Sequence, residues 1–210
     1  MIRILIADDH AIVRRGMKQL LLEQYPFARI GEASNVEELI HEIVTHHDWD
    51  VVVCDMNMPG RSGLDAIMQI KEIAPGLPVL IMSMYPEDQY ALRVLKSGAA
   101  GYLTKETIHD DIVRAIETVI KGKRYITLSL AEKLAESVNR ETEKPLHEVL
   151  SDREFDVFKL LASGKTITEI ASQLSLSSTT VSTYRSRIME KMKMKSNAEL
   201  ARYAIETRLI

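Results

Sequence analysis

A single cysteine, Cys54, among 210 residues leaves no partner for an internal disulfide and no cysteine cluster for a metal. Apolar runs are short, and none approaches the roughly 18 residues that a membrane-spanning helix needs. The run Ile4-Leu5-Ile6-Ala7 is followed by acids and not by a small-residue cleavage pattern. A glycine-rich phosphate loop, a Ser-His-Asp pattern and a His-Glu-x-x-His zinc motif are all missing, as are internal repeats and low-complexity tracts. Hydrophobic residues make up 46% and charged residues 27% of the chain, a composition that supports packed domains and not disorder. The expectation is a soluble cytoplasmic protein without a membrane partner.

The net charge of −3 hides an asymmetry. Residues 1–146 hold 17 Lys/Arg against 22 Asp/Glu, or −5, while residues 147–210 hold 10 against 8, or +2. Within residues 185–195 five bases (Arg185, Arg187, Lys191, Lys193 and Lys195) face one acid, Glu190. Such a split suggests a basic surface attached to an acidic partner domain.

Short apolar runs at 2–7, 29–33, 51–54, 79–82 and 101–103 read as strands. Amphipathic stretches at 13–23, 36–45, 64–73, 89–97 and 108–121 read as the helices between and after them. A run such as 51–54, without polar alternation, implies a strand covered on both faces, hence a parallel sheet. The fold class expected for residues 1–122 is therefore α/β, a five-stranded, doubly wound, flavodoxin-like parallel sheet whose strand carboxyl ends share one edge. Residues 123–146 read as a linker with a short helix over 128–138, ending in the polar run Asn139-Arg140-Glu141-Thr142-Glu143-Lys144-Pro145. Residues 147–210 read as an all-α domain of four helices. Ser151-x-x-Glu154 and Thr166-x-x-Glu169 are capping-box signatures, Gly164 is a stop, serines at 175–178 cap a third helix over 179–193, and Ser196-x-x-Glu199 opens a fourth. A short helix, a tight turn and a longer basic helix form a helix-turn-helix pattern.

Asp8 and Asp9 follow the first strand, Asp55 follows the third, Ser83 closes the fourth and Lys105 follows the fifth. Three carboxylates meeting at one sheet edge cannot all ionise comfortably, so one pKa rises or a cation sits among them. Oxygen-only ligands favour Mg²⁺. A hydroxyl and an ammonium opposite them suit added phosphoryl oxygens. Taken singly, each residue has a plain alternative as a turn, a cap or a surface charge.

The stretches Ile6-Ala7-Asp8-Asp9-His10, Asp55-Met56-Asn57-Met58-Pro59-Gly60-Arg61-Ser62-Gly63, Met82-Ser83 and Gly101-Tyr102-Leu103-Thr104-Lys105 resemble the receiver domains of bacterial response regulators. The resemblance implies that Asp55 is the phosphoacceptor and that Mg²⁺ is held by Asp9, Asp55 and the Asn57 backbone carbonyl, with Asp8 acting through water. It implies phosphoryl contacts from Ser83 and Lys105 and an aromatic switch at Tyr102, which turns inward when Ser83 moves. Glu106 departs from the proline that many receivers carry after the lysine.

The tail resembles the LuxR-type helix-turn-helix of NarL/FixJ response regulators. It does so through Leu150-Ser151-Asp152-Arg153-Glu154, Gly164, Glu169-Ile170-Ala171, Leu174, Leu176-Ser177, Thr180-Val181-Ser182-Thr183-Tyr184 and Ile188-Met189-Glu190-Lys191-Met192. Helical spacing turns Val181, Ile188 and Met192 to the core. The resemblance implies base-facing positions for Ser182, Thr183 and Ser186, with Arg185, Arg187 and Lys191 as phosphate contacts. Relatives often carry lysine where Ser182 and Ser186 stand. Leu200, Ala201 and Ala204 are candidates either for core or for a dimer contact. Cys54 reads as packing, His10 as a helix start and His46-His47 as a solvated loop.

The function so implied is a two-component transcription factor and not an enzyme, apart from slow autodephosphorylation. A sensor histidine kinase phosphorylates Asp55, and phosphorylation promotes a homodimer that binds double-stranded promoter DNA. RNA polymerase is a candidate further partner. The alternatives are a DNA-binding regulator controlled independently of phosphorylation and a Mg²⁺-dependent phosphohydrolase using Asp55, for which the sequence offers no substrate-binding motif.

Overall fold

The computed structural model describes residues 1–58, 63–132, 145–207 and 209–210. It falls into two compact units, Met1–Asn139 and Arg140–Ile210. The first alternates strands β1 (Arg3–Ala7), β2 (Arg29–Ala33), β3 (Val51–Asp55), β4 (Val79–Ser83) and β5 (Gly101–Thr104) with helices. The helices are α1 (Ala11–Gln24), α2 (Val36–Thr45), α3 (Gly63–Ile73), α4 (Glu87–Lys96) and α5 (Ile108–Ile120). All strand pairs are parallel, in the order β2-β1-β3-β4-β5.

The sheet is explained by its apolar phase. Ile4, Ile6, Val51, Val53, Leu80, Met82 and Leu103 point to one face, where they meet Met17 and Leu21 of α1 and Ile112, Ile116 and Val119 of α5. Leu5, Val52, Cys54 and Ile81, one residue out of phase, are buried on the other. β3 and β4 are therefore buried along their whole length, which is why their sequences show no polar alternation. Cys54 is packing, as expected, and burial pushes its thiol pKa up. The observed strands match the expected ones closely, with β3, β4 and β5 each running one residue further. Asp55 is thus the last residue of β3 and not the first after it.

The strand order reverses between β1 and β3, and the crevice such a reversal opens lies beyond the carboxyl ends of these two strands. Gly63, at the start of α3, packs under that crevice. Its amide donates to the Met56 carbonyl at 2.8 Å, and a Cβ there would stand 2.5 Å from the Asp55 carbonyl oxygen. Only glycine allows that approach. Residues 59–62 of the motif lie outside the described residues. Beyond α5 the chain stays with the first unit: Tyr125 forms a bridge with Gly101, and Leu130 is buried. The helix expected over 128–138 begins at Leu128. Residues 133–144 are outside the described residues.

Among the described residues of the second unit, a 3-10 turn spans Leu146–Val149. The unit continues as α6 (Asp152–Ala162), α7 (Ile167–Gln173), α8 (Ser178–Met192) and α9 (Asn197–Glu206). Both capping boxes form, Ser177 and Ser196 cap α8 and α9, and Gly164 takes φ 83° after α6. Phe155, Phe158, Ile170, Val181, Ile188, Met192, Leu200 and Ala204 make the core.

Glu154 does more than cap. Only 2% exposed, it accepts the Ser151 amide at 2.7 Å and the Lys191 ammonium at 2.6 Å, joining the start of α6 to the end of α8. Burial pushes its pKa up, but the Lys191 and Ser151 hydrogen bonds outweigh burial and hold the carboxyl below its ordinary value. The folded pKa lies below the unfolded one, about 4.3. The stabilisation is therefore present above that value and lost as pH falls through the folded pKa. Glu154→Gln is expected to cost about 1–3 kcal/mol in denaturant unfolding at neutral pH, with the gap to wild type closing in acid. A gap unchanged across the acid range would rule this out.

Candidate functional site

The crevice gathers four side chains from two strand ends. Asp8, Asp9, His10 and Asp55 each place a ligand atom within 4.8 Å of the others. Asp8 is fully buried and Asp55 nearly so. Lys105, the residue after β5, balances them: its Nζ lies 2.7 Å from Asp8 Oδ2 and 3.1 Å from Asp55 Oδ1. Burial pushes the Asp55 pKa up to about 6, with the Asp8 charge adding to burial, while Lys105 and the Asn57 amide pull the other way. Burial lowers the Lys105 pKa, but its hydrogen bond to Asp8 and the charge of Asp55 more than reverse that. With Glu106 and not proline after it, Lys105 still reaches both carboxylates.

The donor set fits a hard cation. His10 donates its amide to Asp8 Oδ1 at 2.7 Å, and its ring Nδ1 stands 2.8 Å from Asp9 Oδ1. The ring contact is poorly aligned: Asp9 Oδ1 is buried and accepts no hydrogen bond among the described residues. A buried carboxylate oxygen without a donor, facing two further carboxylates, is the arrangement that a metal ion with oxygen ligands completes.

Ser83, fully buried at the end of β4, accepts the Tyr85 amide at 3.0 Å. The Tyr85 carbonyl in turn accepts the Tyr102 hydroxyl at 2.7 Å. Tyr102 is 2% exposed, so the ring described here is already turned inward. The Tyr85 ring stacks on Tyr90 of α4, centroids 4.6 Å apart. This aromatic pair has no signal in the sequence, because residues five apart reveal a contact only once the β4–α4 loop geometry is known.

On α8, Val181, Ile188 and Met192 face inward as expected, and Ser182, Thr183, Ser186 and Arg187 are exposed. The hydroxyls of Thr183 and Ser186 donate back to the Thr179 and Ser182 carbonyls at 3.0 and 3.2 Å. Two of the three cations expected at phosphates have partners within the unit. Arg185 Nε donates to Asn197 Oδ1 at 2.9 Å, and Lys191 holds Glu154. Of the three core-or-dimer candidates Leu200 and Ala204 are core and Ala201 is half-buried, while Ile205 is the large apolar residue that α9 exposes, at 64%.

The charge balance in the crevice gives a direct check. The Lys105 charge holds the Asp55 pKa down, so Lys105→Met is expected to raise it further above 6 in metal-free protein. Carboxyl-selective NMR titration reads that shift, and an unchanged or lower value would contradict the pairing.

Residues 4–117 match the family described as response regulator receiver domain, and residues 148–204 match bacterial regulatory proteins of the luxR family. The oxygen regulatory protein NreC of Staphylococcus carnosus (strain TM300) is 35% identical, covering 99% of each chain. The response regulator UvrY of Escherichia coli (strain K12) is 35% identical over 98% of this chain and 94% of its own. RcsB from Salmonella enterica serovar Typhimurium, solved bound to promoter rprA in the presence of phosphomimetic BeF3−, superposes with a TM-score of 0.63 at 28% identity, covering 97% of this chain and 98% of that one. With a receiver fold ahead of a LuxR-type helix-turn-helix, and relatives alike along its whole length, the chain belongs to the NarL/FixJ family of two-component response regulators, which are DNA-binding transcription regulators.

Proposed function

We propose that Asp55 accepts a phosphoryl group from the phosphohistidine of a sensor histidine kinase, and that this controls dimerisation and promoter binding. The observation that carries the reading is the crevice itself: two nearly buried carboxylates, Asp8 and Asp55, share the Lys105 ammonium beside an Asp9 oxygen without a donor. An Asp55 oxygen attacks phosphorus, the P–N bond breaks, and the departing electron pair returns to the imidazole, which takes up a proton. Lys105 and Ser83 lie where a cation and a hydroxyl can hold the transferred oxygens. Asp9, Asp55 and the Asn57 carbonyl would hold Mg²⁺, with Asp8 acting through water. Bound there, the ion neutralises the charge that accumulates between the carboxylates and the incoming phosphoryl group. Hydrolysis of the acyl phosphate by water would make dephosphorylation slow and intrinsic, without making the protein an enzyme for another substrate.

In this reading residues 1–122 are the phosphoacceptor domain, 123–146 the linker and 147–210 the DNA-binding domain of a cytoplasmic protein. Tyr102 is the switch residue. Ser182, Thr183 and Ser186 face the bases of duplex promoter DNA. Arg185, Arg187 and Lys191 lie along the phosphates, with Arg187 the main contact because Asn197 and Glu154 hold the other two. RNA polymerase is a further partner at the promoter. RcsB solved on promoter DNA and as DNA-bound dimers supports the same use of this fold.

Intact mass after incubation with Mg²⁺ and a small acyl-phosphate donor is expected to show one phosphoryl adduct, lost in Asp55→Ala. A wild-type protein that takes no adduct, or that binds duplex DNA identically with and without it, would favour control independent of phosphorylation. Arg187→Ala is expected to weaken binding to all duplexes alike and to reduce the slope of log affinity against log salt by about 1. A loss confined to one sequence would instead make Arg187 a base reader.

A further inference from the structure

The segment that follows α5 within the first unit is tied to the crevice by a continuous set of bonds. Ser83 accepts the Tyr85 amide, and the Tyr85 carbonyl accepts the Tyr102 hydroxyl. Pro86, at φ −58°, then leads directly into Glu87, the first residue of α4. The Glu87 carboxylate accepts a hydrogen bond from Thr127 Oγ1 at 2.5 Å, and the same hydroxyl oxygen accepts the Leu130 amide at 3.2 Å. Thr127 therefore caps the helix that begins at Leu128 while its one hydroxyl proton is committed to α4.

Further anchors hold the start of this segment. The Tyr125 amide donates to the Ala100 carbonyl at 2.8 Å, and Tyr125 bridges to Gly101, the neighbour of Tyr102 in β5. A Cβ at Gly101 would stand 2.9 Å from Tyr125 Cβ, so the approach requires glycine. Arg114 of α5 donates to the Tyr125 hydroxyl at 2.9 Å. The segment is thus fixed at Tyr125 by β5 and α5, and at Thr127 by α4.

We propose that Glu87 and Thr127 are positioning residues that couple the state of the crevice to the cap of the helix beginning at Leu128. The proposal rests on Asp55 accepting a phosphoryl group. A Ser83 hydroxyl drawn towards phosphoryl oxygens displaces the Tyr85 peptide that it holds. Pro86, with its fixed φ, passes that displacement to Glu87 with little slack. The Thr127 hydroxyl must then follow Glu87 or release it, and either movement disturbs its bond to the Leu130 amide. Because Tyr125 stays pinned, the change appears at the cap and is not spread along the segment. Contiguity alone does not establish coupling, so the test separates the tie from the cap.

Amide hydrogen exchange, read by mass spectrometry on the full chain in Mg²⁺ with and without beryllofluoride, makes the distinction. In wild type, peptides covering 83–85 are expected to change, and exchange at 130–131 to shift about threefold or more, the scale of a weakened cap. Glu87→Ala keeps the cap but removes the tie, so its response at 130–131 disappears while that at 83–85 remains. Thr127→Ser, which keeps the hydroxyl, retains the wild-type response. A response at 83–85 with none at 130–131, or one at 130–131 that survives Glu87→Ala, overturns the coupling and leaves the phosphoryl reading standing. Silence at 83–85 in wild type removes both.

Discussion

The structure of the first unit turns on one charge problem. Asp8 and Asp55 sit almost without solvent in the same crevice, and a single ammonium, Lys105, lies within 3.1 Å of both. At the effective dielectric of a partly buried site, two charges 4 Å apart interact by about 4 kcal/mol, so neither carboxylate is tolerable without its partners. Lys105 gives only part of the compensation, because the Asp55 pKa still stands at about 6. The remaining deficit is what a divalent cation or a proton supplies. A site so unbalanced responds strongly when charge is added to it.

Everything else in the unit serves to hold those groups at one edge. Parallel strands with crossover helices place every strand's carboxyl end together, and the reversal of strand order between β1 and β3 opens the space between Asp8 and Asp55. The sheet can be this short because both faces are covered. Its seven inward residues on the α1–α5 side come from four strands in strict alternation, so a shift of register by one residue would exchange core and opposite face. Gly63 completes the floor by letting the backbone of α3 approach that of Asp55.

Much of this was legible in the sequence, for identifiable reasons. Continuous apolar runs marked β3 and β4, and acids at the carboxyl ends of strands marked the crevice. The capping boxes at Ser151 and Thr166 were readable because their partners lie three residues on, a spacing that backbone geometry fixes. What stayed hidden depends on residues far apart in the chain. Glu154 was visible as a cap but not as the partner of Lys191, 37 residues away. Tyr125 and Thr127 lie in residues 123–146, which read as linker because of the polar run at 139–145, yet Gly101 and Arg114 partner Tyr125 and Glu87 partners Thr127. Composition reports what a segment could bury by itself, not which surface it meets.

The second unit shows how a tie inside a domain changes the meaning of a basic helix. Five bases over residues 185–195 suggest a surface devoted to phosphates. With Lys191 bound to a buried carboxylate and Arg185 to Asn197, two of those five charges position α8 against α6 and the start of α9. Two of the three hydroxyls expected at the bases are similarly committed: Thr183 and Ser186 donate to the helix's own carbonyls, leaving acceptor lone pairs outward. In the proposed reading, such a face meets amino groups of adenine or cytosine more readily than the acceptors of guanine. Short side chains that accept but do not reach give little discrimination individually. Selectivity on this helix then depends on how closely the duplex can approach it, which is set by groove shape and by the rigidity that Glu154 and Asn197 confer.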